Sequence, residues 1–217
     1  MKIHQLIYFL TGVLVLSTST GCIAKSPPDI ANSSSPVAQA NSEKATRKPL
    51  TKTATISVEG ESTPVTLKLY EQTNLKFSTY YVKDFFEPEF GSSDEGQSIR
   101  FIVNSGGIKN ENAYIHFAFL NGIKNLPQIR QFVTGKRGLI ASNGWRVINR
   151  TQKTPYAWAK EKIDFQKGQG SNSLLGSIYL GEARGKAFYV ISQFPAEYGD
   201  GFAPRANLIF QNVEFGR

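Results

Sequence analysis

The sequence predicts an α+β fold, a mostly antiparallel sheet with one or two packed helices. Three observations predict it. Alternating apolar and polar runs of strand length recur through residues 54–217. Only two segments carry a clear apolar stripe of helical period. Most of the runs are joined by short turns rich in Gly and Asn, so strands that follow one another in sequence lie side by side in the sheet.

In chain order, Thr53 to Glu59 alternates with Ala54, Ile56 and Val58 on one face. Gly60 and Glu61 turn the chain, and Pro64 to Tyr70 returns with Val65, Leu67 and Leu69, giving a first hairpin. Phe77 to Val82 is a third strand. Asp84 to Gly96 is aromatic, acidic and turn-rich, and is expected to be a loop. Gln97 to Val103 and Asn112 to Leu120 form the next pair of strands, the second placing Ile115, Phe117 and Phe119 opposite Tyr114, His116 and Ala118. Asn125 caps a helix over Leu126 to Thr134, and Gly135 stops it. Leu139 to Val147, interrupted by Asn143-Gly144, reads as a strand or hairpin piece, and Tyr156 to Gln166 as a strand. Leu174 to Gly181 and Lys186 to Gln193 form a hairpin turning near Gly185. A last helix spans roughly Phe202 to Val213, with Pro204 in its first turn, where a missing N–H leaves no helical bond unmade. Its buried stripe is Phe202, Ala206, Ile209, Phe210 and Val213. Phe101, Phe117, Phe119, Phe188 and Phe210 are expected in the core.

The N-terminus has its own logic. Lys2 and His4 precede an apolar run, Leu6 to Leu16, and then the small residues Ser17 to Gly21. Eleven apolar-run residues fit a secretory signal peptide and fall short of the ~20 that span a bilayer. Cys22, the single cysteine of the chain, follows at once. This order resembles a bacterial lipoprotein lipobox, with Ser19 standing where that family usually has an aliphatic residue. The resemblance implies a leader over 1–21, lipidation of the Cys22 sulfur by a palmitate-type acyl chain, and a membrane anchor with the rest of the chain on the extracytoplasmic side, whether periplasm, lumen or cell surface. An ordinary cleaved leader and an uncleaved anchor are the alternatives. Residues 22–53 are rich in Pro, Ser, Ala, Asn and Lys and have no aromatic residue, the composition of a flexible tether. A single globular domain then occupies 54–217. The chain carries a formal charge of +8, and the tether holds Lys25, Lys44, Arg47, Lys48 and Lys52 against Asp29 and Glu43. Lys44, Arg47, Lys48 and Lys52 are read as solvated, with contact to anionic headgroups as the alternative.

The residues offer little reactive chemistry. One cysteine allows no intramolecular disulfide and no site built of several thiolates. His116 is the single histidine beyond the leader, so any Ser–His–Asp or Cys–His arrangement would have to use it. Gly135-Lys136-Arg137-Gly138 fails the phosphate-loop pattern, which needs Gly where Arg130 stands and Ser or Thr where Arg137 stands. No catalytic residue, metal site or cofactor is assigned, and no nucleic-acid motif is present. Two segments stand out as a candidate binding surface: Asp84 to Phe90, where Phe85, Phe86 and Phe90 alternate with acids, and Phe194 to Arg205, which carries Glu197, Tyr198, Asp200 and Arg205.

The order of parts, from the aromatic strand Phe77–Val82 through a mid-chain helix and a late hairpin to Phe194-Pro195, Phe202 and a C-terminal amphipathic helix, resembles the PsbP-like fold. That resemblance implies an antiparallel sheet sandwiched by helices, and a protein partner in the envelope or photosynthetic membrane. No functional residue carries over with it. The expectation is a membrane-anchored, non-enzymatic binding or assembly module. The alternatives are a small-ligand carrier or sensor with a pocket lined by Tyr114, His116 and Trp158, and an envelope hydrolase using Glu197 and Asp200.

Overall fold

The computed structural model describes residues 48–216. The expected leader, Cys22 and most of the expected tether lie outside the described residues. Strands dominate: β1 Thr51–Val58, β2 Glu61–Gln72, β3 Phe77–Val82, β4 Phe86–Ser93, β5 Gly96–Ser105, β6 Ile108–Leu120, β7 Arg146–Thr151, β8 Ala159–Lys167, β9 Leu174–Ala183, β10 Lys186–Pro195 and β11 Glu214–Phe215. The helices are α1 Leu126–Thr134, a single turn α2 Leu139–Asn143, and α3 Gly199–Gln211. Every strand pairing is antiparallel, which bears out the α+β expectation.

The strands form a seven-stranded sheet, β4-β5-β6-β10-β9-β8-β7, and a four-stranded one, β1-β2-β3-β11. The period-two pattern sorts side chains between the two faces of the large sheet. Phe101, Phe117, Phe188 and Val190 meet the small sheet's Phe77 and Tyr81 and the α3 residues Phe202, Ile209 and Phe210. On the opposite face Ile163, Phe165, Ile178, Leu180 and Tyr189 meet Ile129 and Val133 of α1. All six residues of β3 are buried, because Phe77 and Tyr81 belong to the first core while Tyr80 and Val82 pack with Leu67 on the other side of the small sheet. A strand covered on both faces reads as a continuous apolar run.

Four expectations are corrected. Asp84 to Gly96 is not a loop: β4 pairs with β5 from Phe86↔Val103 to Ser93↔Gly96. It is an edge strand, where Pro88 needs no ladder donor and charged residues are tolerated. Lys109 of β6 draws in Glu87 and Glu89 at 2.8 and 2.7 Å. Leu139 to Val147 is not one strand: α2 ends at Gly144 in the left-handed region, φ 64°, and β7 begins two residues later. Short apolar runs do not distinguish a helical turn from a strand by period alone, and Trp145 settles this one by stacking on Phe165 at 4.1 Å. The final helix starts at Gly199, so Pro204 sits in its second turn and leaves the Asp200 carbonyl without its helical donor. The expected stripe of Phe202, Ala206, Ile209 and Phe210 is buried.

The fourth correction concerns the tether. Its last residues belong to the fold: the Lys48 ammonium donates to Ser78 Oγ and Glu214 Oε2 at 2.7 Å each, the Tyr80 hydroxyl donates to the Pro49 carbonyl, and β1 begins at Thr51. Lys52 donates to Asn212 Oδ1 and lies 4.0 Å over the Tyr80 ring. Lys48 and Lys52 are therefore neither simply solvated nor directed at headgroups.

Candidate binding surface

The two segments singled out in the sequence, more than a hundred residues apart, meet at one corner of the molecule. The β3–β4 turn places Phe85 and Phe86 against the start of α3. Phe86 packs edge-on to Phe202 at 5.8 Å, Phe202 stacks on Phe194 at 4.8 Å, and the Arg205 guanidinium lies 4.7 Å over Phe85. Arg205 also donates to the Gly201 carbonyl one turn back, and burial lowers its pKa. The aromatic residues divide by depth. Phe86 is buried in the core, Phe85 is half-buried beneath Arg205, and Phe90 on the edge strand is 41% exposed. Tyr198 packs partly buried against the same core, while Glu197 and Asp200 are exposed. Asp200 occupies the first turn of α3, where a carboxylate complements the helix dipole.

Beside these rings, a recess of about 400 Å³ opens between the β3–β4 turn, the edge strand and the tip of the β5–β6 hairpin. Tyr81, Lys83, Asp84, Glu87, Asn104 and the Gly106-Gly107 turn are among its lining residues. Asn104 is its pivot. The Asn104 backbone N–H donates to the Phe85 carbonyl at 2.9 Å, and its side-chain amide donates to Glu87 Oε2 at 2.6 Å. Its Oδ1 is sealed from solvent and accepts nothing from the protein. The hydrogen bonds from Lys109 and then Asn104 hold the Glu87 carboxyl below the usual range. Lys83 and Asp84 form a loose pair at 3.8 Å on the rim. The recess therefore offers the Asp84 and Glu87 carboxylates and the Lys83 ammonium as its charged lining groups. Glu87 lies within the acidic segment singled out in the sequence, whereas Asn104 and Lys83 lie outside both segments, because nothing in a turn-rich acidic stretch shows that a distant Asn will be folded against it.

The expected pocket of Tyr114, His116 and Trp158 does not form. Tyr114 and His116 point to the α1 side of the large sheet, whereas Trp158 packs on the opposite face with Tyr156, Phe117 and Phe210 and donates from Nε1 to the Phe210 carbonyl at 3.0 Å. The alternation of β6 fixed the faces of its own residues, but Trp158 lies in the turn before β8, outside any periodic run. His116 is enclosed by its neighbours: it pairs across the ladders with Arg100 and Ile191, and the Tyr189 ring lies 6.3 Å away. Its Nε2 is sealed from solvent without a partner, and burial, reinforced by Arg100, lowers its pKa to about 4. Among the described residues, no group of three or more His, Cys, Asp or Glu side chains could hold a metal ion, and no helix is long and apolar enough to cross a membrane.

No family model matches the chain, and no curated protein matches it. Among solved structures, the chain is similar to the solution structure of cyanobacterial PsbP (CyanoP) from Synechocystis sp. PCC 6803, with a TM-score of 0.47 and 13% identity over 69% of this chain and 92% of that chain.

Proposed function

We propose that this chain is a non-enzymatic binding or assembly module, displayed on the extracytoplasmic side of a bacterial membrane by a lipid on Cys22, and that a protein partner docks at the corner built by the β3–β4 turn, the β5–β6 tip and the start of α3. The observation that carries the reading is a recess open to solvent and lined by the charged side chains of Lys83, Asp84 and Glu87. The Arg205–Phe85 stack on the same corner supplies the kind of aromatic and Arg contact that anchors protein interfaces.

The test is site-specific photocrosslinking of the full-length protein in its own membranes, with the crosslinking residue at Asp84 or Gly106 and, as a control, at Lys68 of the small sheet. The expected outcome is one stoichiometric partner from the corner positions, none from Lys68, and a reduced yield with Cys22→Ser. No partner from either corner position in protein whose Cys22 is lipidated would overturn the reading.

A further inference from the structure

Residues 112–160 contain eight Lys and Arg and no Asp or Glu. After β6, the fold gathers residues 126–151 of this stretch into α1, α2 and β7, which cover one face and form one edge of the large sheet. Glu161, the first acid after the run, is buried beneath α1 and already committed to Arg130 at 2.9 Å and Arg150 at 2.5 Å. The carboxylate across the edge strand, Asp164, is held by Lys162 and Ser177 at 2.8 and 2.6 Å. Lys136, Arg137, Arg146 and Lys153 are exposed and have no carboxylate partner among the described residues. Between them protrude Val147, 45% exposed, and Ile148, 54% exposed.

From this juxtaposition we infer that the α2–β7 edge is a docking surface for an anionic bilayer. Unpaired cations interspersed with single protruding aliphatic side chains match a headgroup layer over shallow acyl chains. A partner strand fits the edge less well. The register shift between Val147 and Asn149 puts Ile148 out of the ladder, and such a bulge with flanking charges blocks strand addition. The corner that carries the proposed protein site lies at the β4 edge, six strand spacings or about 29 Å away, so a bilayer at the β7 edge leaves that corner free. The inference is independent of the partner reading, since binding to vesicles requires neither a partner nor lipidation of Cys22.

The experiment is co-sedimentation of the full-length chain with vesicles of phosphatidylcholine alone and with added phosphatidylglycerol, read as the ratio of the two partition coefficients. The apolar N-terminal run is common to both vesicles and all variants, so it cancels in the ratio. Each basic residue at the surface contributes about a fivefold factor. Lys136→Ser with Arg137→Ser is therefore expected to lower the ratio about 25-fold. Lys68→Ser with Lys186→Ser, equal in charge but off this edge, should change it less than about twofold. Val147→Ser with Ile148→Ser should weaken binding to both vesicles. An equal fall for both charge pairs, or a wild-type ratio of one, overturns the inference. A ratio of one, together with retention on polyglutamate that is lost in the Lys136/Arg137 pair, overturns it in favour of an acidic protein partner.

Discussion

Protonation of His116 is expected to oppose folding across the mildly acidic range. Its ring is wedged between Arg100 and Ile191 on the flanking strands, with Tyr114 on its own strand and Tyr189 beside it, so a second proton would place a cation next to the Arg100 guanidinium in a desolvated site. The folded-state pKa is about 4, against an ordinary 6.5. A group lowered in this way favours the folded state fully above its unfolded value, and the advantage is lost as pH falls from 6.5 through 4. Each tenfold preference for the neutral ring is worth about 1.4 kcal/mol. The complete loss is then about 3 kcal/mol, reached below pH 4, with about 2 kcal/mol already gone at pH 5. The assay is urea unfolding at pH 8, 6.5 and 5 for the wild type and His116→Phe. The wild type should lose about 2 kcal/mol more than the variant between pH 8 and 5. The variant should be no less stable at pH 8, because replacing an unpartnered buried nitrogen by an apolar ring leaves no acceptor unmade. Parallel losses in the two proteins would refute the reasoning. Asp164 and Glu87, both held below the usual carboxylate range, lose their contribution at lower pH and equally in both proteins.

Two further outcomes follow from the packing of α1. Glu161→Ala should cost about 2 kcal/mol in urea unfolding with an unchanged m-value, because Arg130 and Arg150 lose their shared carboxylate but remain partly exposed and can hydrate. Asn125→Ala should cost about 1 kcal/mol, since the Asn125 side chain accepts the Gln128 N–H at 3.1 Å and caps α1. Faster amide exchange within α1 than elsewhere would tie that loss to the cap.

How much of this was legible in the sequence depended on whether the signal was local. The first hairpin, β3, the hairpin of β9 and β10, and α1 with its Asn cap all follow from periodicity and turn chemistry local in the sequence. The acid-free run from 112 to 160 is equally local, although the formal charge of the whole chain does not reveal it. In contrast, β4 was hidden, since edge position, not composition, is what makes a strand with Pro88 and two glutamates tolerable. The α2 turn was hidden too, because Leu139 to Trp145 is too short for its period to choose between helix and strand.

The candidate surface lay beyond what sequence could settle. Phe85, Phe86, Phe90 and Arg205 were picked out for their composition, yet only the meeting of the β3–β4 turn with α3 decides that Phe86 is core, that Arg205 stacks on Phe85 and that Phe90 stays in solvent. Sheet geometry likewise separated Trp158 from Tyr114 and His116, because an antiparallel ladder assigns each face by register and Trp158 stands outside the ladder. By itself the sequence determined the fold class, most of the strands and the two longer helices, since those depend on short-range period and capping. The tertiary structure alone decided which polar groups were left without partners, Asn104 Oδ1 above all, because satisfaction of a buried acceptor depends on every chain segment that reaches it.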